Sequence, residues 1–490
     1  VSASSNFVAE IETRAVAGGW LSSPAYRTAE RDHSYADLFE RTARAAHALR
    51  GYGIGAGDRV CLILPETIDL VTVFLATLRI GAIAVPLNGN ATTEQLADGT
   101  LRSGASVVVR HREFEVPDGC VALWPEQLAG ERADTEIAAV TDDTPAFSVF
   151  TSGTTGPAKL VTHTHGDIRH FDNGVGNALG IARGEVCLSA SGTYLAYGLG
   201  NAVFFPLLRG ASTVLNGTDS RLVPAEALRL IERHSVDVFY AIPSYFATLL
   251  REPGADALKR LRIAVTAGEV LNTAVENNLL ALLGSSLTGI FGTTEIGHAV
   301  AVNAGADYRP QKVGRVIGPY AVRVVDRQSG QPIDAGEIGS LEVLGPTISL
   351  GAKDASVPPV RLAGQWYATG DIARLDDDGY LQLFGRADDV ETVAGRDVYP
   401  AEVESVLLES PAVREAAVCT VGGPDGERRL RAYVVRADDA VSELELERRL
   451  LAAAAKALAP HKVPREVRYL DALPYILGGK LSRRDVRQLG

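Results

Sequence analysis

Thr151 to Gly156 is an unbroken run of small hydroxyl and glycine residues, followed three positions later by Lys159, between two apolar stretches. Backbone N–H groups and hydroxyls with one cation can grip an oligophosphate. The run is not a Walker A loop: Lys159 lies between Ala158 and Leu160, where that loop requires glycine and a magnesium-binding hydroxyl. Nor is it a nucleophile elbow, because Phe150 stands where the first glycine of G-x-S-x-G belongs. Ser152, Gly153, Thr154 and Thr155 complete the run. A polar surface loop would account for a few of these residues but not for all of them in order.

Composition fits this reading. Among 490 residues, 60 acids outweigh 48 bases for a net charge of -12, which disfavours a nucleic-acid surface or a polybasic membrane anchor. Any anion must then be held by a local site. At 46% hydrophobic the chain can bury more than one core. Cys61, Cys120, Cys187 and Cys419 are scattered without metal-ligand spacing, which points to a reducing, cytoplasmic setting. The first twenty residues lack the pattern of a signal peptide. Thr72, Thr77, Arg79 and Gly81 interrupt the most apolar stretch, 70–87, so it reads as a buried helix and strand rather than a membrane span.

The elements that must position these residues show in the periodicity. "ADLFERTARAAHALR" (36–50) has helical spacing, and "DRVCLILPE", "DLVTVFLATLRIG" and "AIAVPL" form a strand–helix–strand unit, which implies a parallel sheet. The pattern recurs in "PAEALRLIERHS" with "VDVFYAIP" and in "TAVENNLLALLG" with "SLTGIFG". After residue 312, "AVRVVD", "GSLEVLG" and "GYLQLFG" read as a small β-rich subdomain. The last hundred residues read as an α+β unit whose long helix opens with a capping box, Ser442 with Glu445, and is stopped by Pro460. The expected fold is therefore α/β: a large domain over 1–387, with βαβ layers and a β-rich part, and a small α+β domain over 388–490.

With these motifs in order, the chain resembles the adenylate-forming superfamily of acyl-CoA ligases, adenylation domains and luciferase-like enzymes. "SGTTGPAKL" is similar to the family's S-G-T-T-G-x-P-K-G, with Ala158 and Leu160 as departures. "AGE" (267–269), "FGTTE" (291–295), "YATGD" (367–371), "GRADD" (385–389) and "PYILGGK" (474–480) match further family motifs along nearly the whole chain. The resemblance implies attack of a carboxylate on the α-phosphate of ATP, followed by transfer of the acyl group to a thiol. It implies that Lys480 neutralises charge developing between carboxylate and phosphate, that Glu295 holds Mg²⁺, and that Thr294 offers a hydroxyl to phosphate. Thr151, Gly156 and their neighbours in the loop, with Lys159, Gly268, Glu269, Phe291, Gly292 and Thr293, would surround the nucleotide, Phe291 lying against adenine. Asp371 and Arg386 would hold the ribose. The small C-terminal domain would swing about Asp388 between the two half-reactions, bringing "AGRDVYP" (394–400) to the site. Thr392 replaces a frequent lysine and Gly478 a frequent threonine.

The segments 195–208, 238–250 and 291–300 look most like benzoate–CoA ligases and their aryl-acid relatives. Amino-acid-activating members place Asp at the position of Ala196; without it an α-ammonium would be buried unpaired. Ala196, Tyr197, Tyr240, Ile296 and His298 would then line a compact pocket for an aromatic acid. The implied acceptor is CoA, or alternatively the phosphopantetheine of a carrier protein. His163, His165 and His170 are read as structural rather than metal-binding.

Overall fold

The structure, a computed structural model, describes residues 5–151, 158–218, 221–271, 273–362, 364–423, 427–437, 440–474 and 481–489. Ser152–Gly156 and Lys480, with Gly478, lie outside the described residues.

The anticipated strand–helix–strand unit is present. Strands Arg59–Ile63 and Ile83–Pro86 pair in parallel, and helix Ile68–Arg79 crosses between them. That helix is buried along nearly its whole length, and its Arg79 is paired with Glu12 at 2.5 Å and with the Asp134 carbonyl at 3.0 Å. A buried charge so satisfied belongs to a protein core. Among the described residues no helix is long and apolar enough to cross a membrane. Helix Tyr35–Gly51 covers the periodic stretch, capped by the Ser34 side chain, which accepts from the Asp37 N–H.

Among the described residues two large sheets organise the first 387 positions. A six-stranded sheet ends in an antiparallel hairpin, Pro145–Phe150 with Leu160–Thr164. In sequence the hydroxyl-rich run lies between the two strands of that hairpin. Its neck is closed on both sides: the Thr151 N–H donates to the Lys159 carbonyl at 2.8 Å, and the Lys159 N–H to the Thr151 hydroxyl at 2.9 Å.

The second sheet has thirteen strands. Val186–Ser189, Val238–Ala241, Ile263–Thr266 and Leu287–Gly292 run parallel as neighbours within it. Beyond Leu287–Gly292 the pairing turns antiparallel, through Ala299–Asn303 and onward to Ile338–Leu344 and Tyr367–Leu375. These strands are the β-rich part of the large domain. The strands after residue 312 pair edge-on with the parallel array, so one sheet carries both textures.

From Pro400 onward the chain builds its own core. Val403, Leu407, Val418, Val434, Leu446 and Leu450 pack between a three-stranded sheet and two helices. The helix Glu443–Ala457 begins at Ser442, whose hydroxyl accepts from the Glu445 N–H at 3.4 Å. The Glu445 carboxylate turns instead to Arg448 and Arg449, so half of the expected capping box forms. The final helix, Arg483–Gln488, is strapped back: Arg483 bonds Glu404 at 2.7 Å, and Arg487 bonds Glu391 at 2.8 Å and the Asp388 carbonyl at 3.1 Å.

Candidate active site

In parallel sheets, ligands sit beyond the carboxyl ends of the strands, where chain ends diverge and backbone groups are left for a ligand. The candidate residues collect there. Tyr240 is the penultimate residue of one strand, Gly268 and Glu269 follow the next, and Phe291 and Gly292 end the third and lead into Thr293–His298. Ala196 and Tyr197 open a short helix that follows the strand Val186–Ser189. Gly292 is required by packing, since a Cβ there would lie 1.7 Å from the His298 carbonyl oxygen.

The turn carrying Thr294 and Glu295 is tied to the hairpin that bears the hydroxyl-rich loop. His163, one residue before the end of the hairpin's second strand, bonds the Thr294 carbonyl through Nε2 at 2.8 Å and Asp167 through Nδ1 at 3.2 Å. Asp167 in turn takes a two-pronged contact from Arg361, at 2.5 and 2.6 Å. Its carboxyl is held below the usual range, because the bonds from Arg361 and His163 outweigh the opposing effect of burial. The same hairpin strand begins with Leu160, the departure from the family pattern. Leu160 is buried and bridges Ala352 in both directions, at 2.8 and 2.9 Å, and the Ser349 N–H reaches the Glu295 carbonyl at 2.8 Å. Leucine there is a packing residue.

Asp371 and Arg386 are cross-strand partners in register, with Oδ1 and one guanidinium nitrogen 3.1 Å apart. Arg386 also donates to the Thr369 carbonyl at 2.9 Å. Gly370 has φ +79°, and a Cβ there would lie 2.7 Å from the guanidinium, so this turn needs glycine twice over. Tyr367 lies against Glu295 and Thr293, and burial together with the Glu295 charge raises its hydroxyl pKa. Glu269 accepts from the Ser244 N–H at 3.0 Å and from its hydroxyl at 3.3 Å.

The aromatic-acid candidates form one cluster. The rings of Tyr197 and Tyr240 meet edge to face at 6.3 Å, and Tyr197 and His298 lie 5.5 Å apart. Ala196 and Ile296 are buried apolar residues on the flanking segments. Sequence reasoning missed Asn201, one helical turn beyond Tyr197, whose Oδ1 lies 3.3 Å from His298 Nε2. Its i+4 spacing from Tyr197 was the available signal.

Among the described residues no group of three or more His, Cys, Asp and Glu side chains could hold a metal ion. His163 and His165 have structural partners, His165 accepting from the Phe7 N–H at 3.1 Å. Asp388 sits in a single 3₁₀ turn, Ala387–Asp389. The "AGRDVYP" stretch begins as a hairpin tip, with positive φ at both Ala394 and Gly395.

Residues 13–351 match the AMP-binding enzyme family, and residues 402–480 match the AMP-binding enzyme C-terminal domain. The chain belongs to this family. It is 33% identical to a p-hydroxybenzoic acid–AMP ligase of Mycobacterium tuberculosis, over 99% of this chain and 69% of that protein. It is 31% identical to a benzoate–CoA ligase of Thauera aromatica, over 93% of this chain and 90% of the relative. The crystal structure of a benzoate CoA ligase from Burkholderia xenovorans superposes with a TM-score of 0.86 at 27% identity, covering 98% of this chain and 99% of that one.

Proposed function

We propose that this protein is an AMP-forming acid–thiol ligase that activates a benzoate-like acid with ATP and passes the acyl group to CoA. The observation that carries the reading is the His163–Thr294 bond, which ties the strand leaving the hydroxyl-rich run to the Thr294–Glu295 turn, with the Tyr197–Tyr240–His298 cluster gathered around the carboxyl ends of the parallel strands. The benzoate and hydroxybenzoate ligases among its relatives support the acid class and the thiol acceptor.

In this reading the hydroxyl-rich run, with Lys159 following it, holds the β- and γ-phosphates of ATP. Phe291 packs against adenine, with Gly268 and Glu269 along the nucleotide's edge. Asp371 offers a carboxylate to the ribose hydroxyls while Arg386 fixes its orientation. The aryl carboxylate then attacks the α-phosphorus, the bond to the bridging oxygen breaks, and pyrophosphate leaves. Lys480 stabilises the charge that builds between the reacting oxygens. The resulting acyl–phosphate bond has AMP as a good leaving group, and a thiolate displaces it.

Glu295 is the residue that would hold Mg²⁺. The donor set fits a cation of that kind: one carboxylate and nearby hydroxyls, all hard oxygen, with no neighbouring carboxylate cluster among the described residues. Magnesium keeps most of its shell in water and phosphate oxygen, and it would offset pyrophosphate charge.

Domain alternation belongs to the same proposal. The part from 388 to 490 would turn about Asp388, withdrawing Lys480 so that the thiol can enter. Exchange of labelled pyrophosphate into ATP, dependent on added benzoate, tests the first step. Thioester accumulation with CoA set against a phosphopantetheinylated carrier protein tests the acceptor. Exchange with amino acids but not benzoates would overturn the reading.

A further inference from the structure

The aromatic cluster contains more polar atoms than its own contacts satisfy. Asn201 and Tyr240 are fully buried, and His298 is 5% exposed. The Tyr197 and Tyr240 hydroxyls, Asn201 Nδ2 and His298 Nδ1 are all shielded from solvent without a hydrogen-bond partner. Asn201 lies beside the Tyr197 hydroxyl but does not reach bonding geometry. Buried polar groups are almost always bonded, and each one left unmade costs its desolvation. Four such atoms around one ring cluster mark a place that a ligand or a water completes.

The Asn201–His298 pair sets what that ligand must offer. Burial drives the His298 pKa down to about 3 against the opposing pull of the Tyr197 backbone beside it, so the ring is neutral and carries one proton. With Asn201 Oδ1 facing Nε2, that nitrogen donates, leaving the Asn201 NH₂ as a free donor and Nδ1 as a free acceptor. Turning the amide by 180° reverses both: Nε2 then accepts, Nδ1 donates, and the amide oxygen is left. Either way one donor and one acceptor remain. A hydroxyl supplies one of each. A methyl or a halogen supplies no such pair.

Resting on the aryl-acid reading above, we infer that Asn201 and His298 together read a hydroxyl on the ring of the acid, so that the preferred substrate is a hydroxybenzoate rather than benzoate. Tyr197 and Tyr240 close the remaining sides of the same substituent with hydroxyls that can donate or accept.

The test compares kcat/KM in pyrophosphate exchange for benzoate, 3- and 4-hydroxybenzoate and the corresponding methylbenzoates, whose methyl group fills nearly the volume of the hydroxyl. A site built to bond a hydroxyl discriminates strongly against the analogue that lacks it, so one hydroxy isomer should exceed its methyl counterpart by at least about 100-fold. Asn201→Leu should pull that ratio toward one, with thermal unfolding confirming that the variant is folded. Equal use of hydroxy- and methylbenzoates by the wild type would overturn the inference and leave the aryl ligase reading intact, with water satisfying the four atoms. A folded Asn201→Leu variant that kept the wild-type ratio would overturn the residue assignment. Exchange with no aromatic acid at all would sink the underlying reading as well.

Discussion

His163 Nε2 and the Thr294 carbonyl oxygen lie 2.8 Å apart, joining the strand that leaves the hydroxyl-rich loop to the turn that carries Glu295. The bond spans 131 residues of sequence and fixes the distance between the two parts that would share one triphosphate. His163→Ala should therefore disturb nucleotide handling more than acid binding. We expect kcat/KM for MgATP to fall by about 10-fold or more, as for residues that orient a metal ligand, with KM for the acid little changed. Equal effects on both substrates would reduce His163 to a packing residue.

Asp371→Asn keeps the shape of the ribose site but removes the charge that Arg386 balances. A charged hydrogen bond is worth about 1.5–3 kcal/mol, so KM for ATP should rise by about 10- to 100-fold. Steady-state kinetics with saturating acid would show it. An unchanged KM would remove Asp371 from the nucleotide site.

Lys480→Ala should cost about 100- to 1,000-fold in benzoate-dependent pyrophosphate exchange, the range seen when one charge-stabilising group is removed. Thioester formation from supplied benzoyl-adenylate should survive. Loss of both steps in equal measure would contradict its assignment to the first.

Asp388→Pro restricts the backbone at the expected pivot. The adenylation rate should hold while thioester formation slows, as read by single-turnover quench with CoA. Normal rates in both steps would argue against rotation at this residue.

Glu66 and His165 set opposite pH dependences of stability. Burial raises the Glu66 pKa from 4.5 to about 6, against bonds from the Thr193 N–H at 2.7 Å and hydroxyl at 3.0 Å. The folded state thus favours its neutral form, a contribution present below pH 4.5 and lost as pH rises through 6. Glu66→Gln, which keeps an acceptor for Thr193, should raise Tm at pH 8, and the gain should shrink toward pH 5. Burial lowers the His165 pKa from 6.5 to about 4, so its contribution is complete above pH 6.5 and lost as pH falls toward 4. Melting curves across pH 4.5–8 would separate the two.

The legible part of the site was the part written as contiguous motifs. Helix 36–50 and the strand–helix–strand unit after it followed from periodicity, because apolar spacing reports local burial. Phe291–Glu295, Tyr240 and Gly268 were each visible as short motifs, and their meeting at one sheet edge follows from parallel pairing. The single large sheet was not legible, because an edge-to-edge pairing such as Gly314 with Leu381 leaves no local signature. For the same reason the chain of contacts Thr294–His163–Asp167–Arg361 stayed hidden. It joins three distant segments through single side chains, and a lone histidine gives no sign of its partners. Asn201 was passed over because an amide within an apolar helix reads as helix-neutral until the ring beside it is known.

The neck of the hydroxyl-rich hairpin, latched by Thr151 and Lys159, has a counterpart near the C-terminus, where the Ser482 N–H bonds the Pro474 carbonyl at 2.8 Å. Each latch insulates the framework from changes in the residues it encloses. Ala158, a departure from the family pattern, lies between the latched residues in sequence and outside both strands, so it asks neither strand to shift. Residues between Thr151 and Lys159 can therefore be exchanged as a cartridge, while the strands that flank them stay as they are.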